Sequence, residues 1–120
     1  MIRIKKDRDY PDINRYLIEM TKGDTLILDL AIDQQKEPIT LQEGDSVRFA
    51  LSIGFKGEKN YKLLLKKQIA IDNLVLELTP EDTENLINNY KYNYDIQLTY
   101  ANGNVDTFID GTLMVRGNVD

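Results

Sequence analysis

Asp95 and Asp110 are the two side chains whose type and spacing most invite chemistry. They flank an Asn102-Gly103 dipeptide, the favoured two-residue hairpin loop because both of its positions need positive φ. With that loop Asp95 faces Asp110 directly across the hairpin, where like charges destabilise the pair. A cation held by oxygens alone, calcium or magnesium, would resolve the conflict, with Asp106 and Gln97 as neighbours on the same face. Two solvated carboxylates, facing a basic partner or Lys91, would also resolve it. The solvated pair is the expectation, because no loop of calcium-binding spacing is present. Paired acids also hydrolyse glycosides, but nothing here marks a cleft, and tryptophan is absent.

Composition removes most other chemistry. Histidine is absent, and with it the commonest general base and transition-metal ligand. Cysteine is absent, so disulfides, thiolate metal sites and cysteine nucleophiles are excluded. No Gly-rich loop follows a strand and opens a helix, so nucleotide binding lacks its motif. No catalytic, cofactor-binding or metal-binding residue is therefore expected, and the chain reads as a non-enzyme with no cofactor. Tyr90, Tyr92, Tyr94 and Tyr100 could form an exposed platform for sugars or bases. Their spacing assigns them instead to a core face, like the tyrosine corner of a sandwich. Lys56, Lys59, Lys62, Lys66 and Lys67 read as a solvated loop and edge strand, since edge lysines block unwanted pairing. With a net charge of −5, the chain lacks the broad basic footprint of a nucleic-acid binder. From Asp72 onward acids far outnumber Lys91 and Arg116.

The elements that must position these residues alternate with period two. The clearest is Tyr90 to Tyr100, where Tyr92, Tyr94, Ile96 and Leu98 alternate with Asn93, Asp95 and Gln97. Across the Asn102-Gly103 loop, Leu98 is expected opposite Thr107, Ile96 opposite Ile109, Tyr94 opposite Gly111, Tyr92 opposite Leu113 and Tyr90 opposite Val115. The apolar faces then coincide, which a one-residue slip would destroy. Arg15–Met20 and Thr25–Asp33 form strands around Lys22-Gly23-Asp24, and the Glu43-Gly44-Asp45 turn leads into Val47, Phe49, Leu51 and Ile53. Gly54–Asn60 is a polar loop, and Lys66–Ile71 and Leu74–Leu78 are further strands. Thr79 as N-cap, Pro80 at the first helical position and Glu81 and Asp82 behind them predict a short helix from Pro80 to about Asn88, pinned by Leu86 and Ile87. Seven or eight short strands with one short helix predict an all-β, immunoglobulin-like antiparallel β-sandwich. A small barrel is the alternative. The single domain is expected over residues 15–120, with 1–14 as a flexible arm or an edge strand.

Several strings occur together: Met1 to Ile4, then Gly23-Asp24-Thr25; Glu43-Gly44-Asp45 before Val47 and Phe49; Leu78 through Thr83; Tyr94 to Leu98; and Asn104 through Thr107, Gly111, Leu113 and Val115 to Asp120. In that order and spacing the chain resembles the small tail and baseplate proteins of tailed bacteriophages and prophages, in particular the N-terminal domain of upper baseplate proteins. The resemblance implies an immunoglobulin-like module that assembles a virion by protein association, without catalytic residues. Other tail and baseplate proteins are the implied partners. Self-association is also expected, with the Lys56–Lys67 cluster meeting the acidic C-terminal part. Neither nucleic acid nor membrane is an expected partner. The resemblance implies a place in the virion, and with no apolar h-region near Met1 and no apolar stretch of membrane-spanning length, assembly is expected in the host cytoplasm. A carbohydrate-binding sandwich module is the alternative function, and it needs the tyrosines exposed.

Overall fold

Alternation fixes which side chains face inward, and the computed structural model, which describes residues 2–6, 15–30 and 41–117, shows how those faces close on one another. Eight strands lie in these residues: β1 (Ile2–Lys6), β2 (Arg15–Thr21), β3 (Leu26–Asp29), β4 (Ser46–Ile53), β5 (Lys62–Ile69), β6 (Val75–Leu78), β7 (Tyr92–Thr99) and β8 (Val105–Arg116), with a one-turn helix α1 (Pro80–Thr83) before β7. Six of them form one sheet in the order β1-β2-β8-β7-β4-β5, and β3 and β6 form a second. The fold is an all-β sandwich with a short helix, as the alternation predicts. Its layout, with β8, β7 and β4 adjacent in one layer and β3 paired to β6 in the other, is that of the immunoglobulin sandwich. One pair departs from the antiparallel rule: β2 runs parallel to β8, with Tyr16 opposite Gly111 and Ile18 opposite Leu113. The polar segment before Arg15 contributes β1, which pairs antiparallel with β2 at the sheet edge.

The core lies between the layers. Phe49, Leu51, Ile96, Leu113 and Val115 from the large sheet meet Leu26, Leu76 and Leu78 from the small one, all at 1% exposure or less. Burying a side chain of this size contributes about 1.5–3 kcal/mol, so a handful of such residues dominates the stability of the domain. Phe49 and Tyr94 stack with ring centroids 5.7 Å apart.

The last hairpin keeps the expected register at its centre and loses it at its tip. Tyr92 pairs with Leu113, Tyr94 with Gly111 and Ile96 with Ile109, as predicted, but Leu98 pairs with Asp106 rather than Thr107. The tip is a three-residue loop, Ala101 to Gly103, in which Gly103 N–H donates to Tyr100 O at 2.8 Å and Tyr100 N–H to Asn104 O at 2.8 Å. Gly103 alone in it has positive φ, at 91°, which is the type I turn plus left-handed glycine rather than the two-residue type I′ turn. The resulting one-residue offset is absorbed by a bulge at Phe108, between the Gln97–Thr107 and Ile96–Ile109 pairs. Two departures of opposite sense thus leave the core register intact.

The helix stops at Thr83 rather than near Asn88. Leu86 N–H turns back to Thr83 O at 3.1 Å, and the N–H of Ile87, which a continuing helix would use, donates to the Tyr92 hydroxyl at 2.8 Å. Leu86 is buried as predicted, whereas Ile87 is 65% exposed and pins nothing. The extent of the second predicted strand is also revised, since β3 ends at Asp29 and residues 31–33 lie outside the described ones. The strand expected from Lys66 begins earlier, at Lys62.

Candidate functional site

On the outer face of the large sheet Asp95 and Asp110 are paired across β7 and β8, as the hairpin predicts. The conflict between them is resolved by a residue that no local pattern points to. Arg48, on the neighbouring strand β4, donates from Nη1 to Asp95 Oδ1 at 2.7 Å. Both side chains are partly shielded, at 24% and 33% exposure, which strengthens such a pair over an open surface one. Arg48 is legible in the sequence as an outward residue between Val47 and Phe49, but its placement needs β4 to lie beside β7, a non-local fact.

The bulge removes the other suggested neighbour: Asp106 pairs with Leu98, while Gln97 Nε2 donates to Thr107 Oγ1 at 3.0 Å. Among the described residues no group of three acidic side chains converges on one point. Tyr92 and Tyr94 are core residues at 2% and 4% exposure. The Tyr92 hydroxyl accepts from Ile87 N–H in the manner of a tyrosine corner, and that of Tyr94 donates to Tyr16 O at 3.3 Å. Tyr90 and Tyr100, expected on the same core face, are exposed instead, because the strand spans only Tyr92–Thr99 and leaves both outside its buried stretch. The four tyrosines therefore form no continuous platform.

The lysine cluster divides. Lys67 stands opposite Phe49, on the inward side of the edge strand β5. Its ammonium reaches across the open side of the sandwich to the Asp82 carboxylate and donates to Glu77 O at 3.0 Å. Asp82 also accepts from Thr79 N–H at 2.8 Å, closing the first turn of α1. Burial raises the Asp82 pKa, but the Lys67 ammonium and the Thr79 bonds together outweigh it and hold the carboxyl below its ordinary value of 3.8. An inward charge on an edge strand also discourages pairing with another chain.

Two others of the cluster, Lys56 and Lys66, border a groove of about 490 Å³ above the Arg48–Asp95 pair. Its floor is Arg48, Ala50 and Ser52 of β4, Asn93, Asp95 and Gln97 of β7, and Asp110 of β8. Its wall is the loop from Gly54 to Tyr61, with Phe55, Lys56 and Tyr61, continued by Leu63 and Lys66 on β5. The wall is fixed to the floor, because Gly54 O accepts from Asn93 Nδ2 at 2.9 Å and from the Ser52 hydroxyl at 3.1 Å. Within the loop the Glu58 carboxylate takes the Phe55 N–H at 2.6 Å. Phe55 remains 50% exposed and Leu63 45%. No single sequence motif announces this groove, since it draws on three strands and a loop.

A scan against protein-family models matches none, and a search of curated proteins finds no significant match.

Proposed function

We propose that this chain is a non-enzymatic assembly module of a phage or prophage tail or baseplate, acting by association with neighbouring tail proteins or with copies of itself. The observation that carries the reading is where the strings of the baseplate resemblance fall. Gly23 opens a turn at φ 97°, and Asp45 ties its own turn to the hairpin tip by accepting from Ala101 N–H at 2.9 Å. Thr79 and Asp82 close α1, and Tyr94 packs over Gly111. These residues of the strings thus serve the framework of the sandwich rather than a reaction.

The chemistry-bearing side chains support the same reading: Asp95 is neutralised by Arg48, and Tyr92 and Tyr94 are structural. The outward lysines offer a surface for a neighbour of opposite charge, and the acidic part after Asp72 gives one copy of the chain a complement for the next. The place of action in this reading is the virion, with assembly in the host cytoplasm.

The test is to tag the chain in a bacterial strain that produces the particles, purify them on a density gradient and quantify the chain by mass spectrometry. A fixed ratio to the tail proteins is expected. Expression without incorporation into purified particles would refute the assembly role.

A further inference from the structure

The groove above the Arg48–Asp95 pair has a composition that assembly does not require, and we infer that it binds an acidic saccharide. This reading does not rest on the assembly role, although Lys56 and Lys66 belong also to the surface proposed there for a neighbour. Four features point to that ligand class together.

The floor carries planar polar groups, the Asp95 carboxylate, the Asn93 and Gln97 amides and the Arg48 guanidinium, spread around the small side chains of Ala50 and Ser52. With the Asn93 Nδ2 and Gln97 Nε2 already used on Gly54 O and Thr107 Oγ1, the floor offers the amide and Asp95 oxygens as acceptors and the Arg48 N–H groups beyond its bond to Asp95 as donors, a set that matches adjacent hydroxyls on a sugar ring. The wall supplies the complementary apolar contact, with the half-exposed ring of Phe55 beside Tyr61 and Leu63. An aromatic face can cover the C–H face of a pyranose while the hydroxyls turn to the floor.

The third feature is charge. Arg48, Lys56 and Lys66 line the groove against Asp95 and Asp110, so the groove is locally positive on a chain whose net charge is −5. Arg48 is committed to Asp95, whereas Lys56 and Lys66 have no ion-pair partner among the described residues. Their ammonium groups are placed to take the acidic substituent of a sugar at the wall side.

The fourth feature separates a saccharide from a peptide. A peptide added to a sheet needs unpaired backbone N–H and C=O groups. Here β4 is paired on both sides, by β5 and β7, and β7 is paired on both sides, by β4 and β8. The floor therefore offers side chains only. The wall is held by the bonds to Gly54 O and by the Glu58 carboxylate, so little ordering is needed on binding, and the volume lies within the range of small-ligand sites.

The experiment is a titration of the isotopically labelled chain by amide NMR with short oligogalacturonate, with maltotriose as the neutral comparison and inorganic phosphate as the non-sugar anion. Oligogalacturonate is expected to shift the amides of residues 48–52, 54–61 and 93–97, to bind more weakly as salt rises, and to bind at least about tenfold more tightly than maltotriose or phosphate. Phe55→Ala and the double variant Lys56→Ala/Lys66→Ala each alter exposed side chains, so their spectra should remain folded while binding falls by about tenfold. Equal binding of maltotriose would overturn the role of the lysines, and equal binding of phosphate would overturn the role of the sugar. No shifts with oligogalacturonate, or shifts confined to another surface, would overturn the site.

Discussion

Replacing Gly111 with alanine tests how the two halves of the large sheet are joined. Gly111 lies in β8 between Tyr94 of β7 and Tyr16 of β2, and it is not among the glycines with positive φ, so backbone conformation is not its role. A Cβ at this position would overlap the Tyr16 carbonyl oxygen and sit 2.9 Å from both the Tyr16 carbonyl carbon and Tyr94 Cε1. Restoring an ordinary C···O separation of about 3.3 Å would force β2 and β8 apart near the start of their parallel ladder, one pair in from Arg15 and Asp110. Forcing one extra carbon into a packed site costs about 1–3 kcal/mol. The hydrogen bond from the Tyr94 hydroxyl to Tyr16 O, 3.3 Å long, would be lost with it, at about 1 kcal/mol. The expected cost of Gly111→Ala is therefore about 2–4 kcal/mol, a large share of the roughly 5–15 kcal/mol that holds a typical domain. Urea unfolding followed by tyrosine fluorescence gives the value directly, with Gly57→Ala as the comparison. Gly57 has no atom within 4 Å of a Cβ and a φ of 98°, so its loss costs only the left-handed conformation, about 1 kcal/mol. A Gly111→Ala variant within about 0.5 kcal/mol of the parent, with an unchanged m-value, would refute the close approach of β2 to β8.

Three further outcomes follow from named contacts. Tyr92→Phe leaves the Ile87 N–H without its acceptor and should cost about 1–2 kcal/mol by denaturant unfolding, with no change in the amide spectrum of the distant hairpin tip. Asp82→Asn breaks the pair with Lys67 and weakens the cap on α1, at about 1 kcal/mol near neutral pH. Because the folded carboxyl titrates below its ordinary 3.8, its stabilisation is present above that value and fades as pH falls through the lower folded pKa, so unfolding midpoints of parent and variant should converge below 3.8. Arg48→Met leaves Asp95 facing Asp110 without the cation that answers it, and should cost about 1 kcal/mol. Adding Asp110→Asn should recover part of that loss in a double-mutant cycle, and additivity of the two changes would show that the carboxylates do not repel.

Period-two alternation carried the burial of Val47, Phe49, Tyr92, Tyr94, Ile96 and Leu98 in the residue order itself, because a strand with one wet face must place apolar side chains at every second position. The sandwich class and the centre of the last hairpin were legible for the same reason. The hairpin tip was not: Asn102-Gly103 satisfies both a two-residue and a three-residue loop, and the bulge at Phe108 that reconciles them leaves no mark in an alternating pattern. Lys67 reads as solvated because a lysine in an edge strand usually is, yet its strand offset turns it inward to Asp82 and Glu77 O. The parallel join of β2 to β8, the placing of β7 between β4 and β8, the pairing of Arg48 with Asp95 and the groove above them were decided by tertiary structure alone. Alternation says which face of a strand is buried but nothing about which strand lies beside it. That choice is made only when all the apolar faces close on one core, and it brings together side chains far apart in the chain.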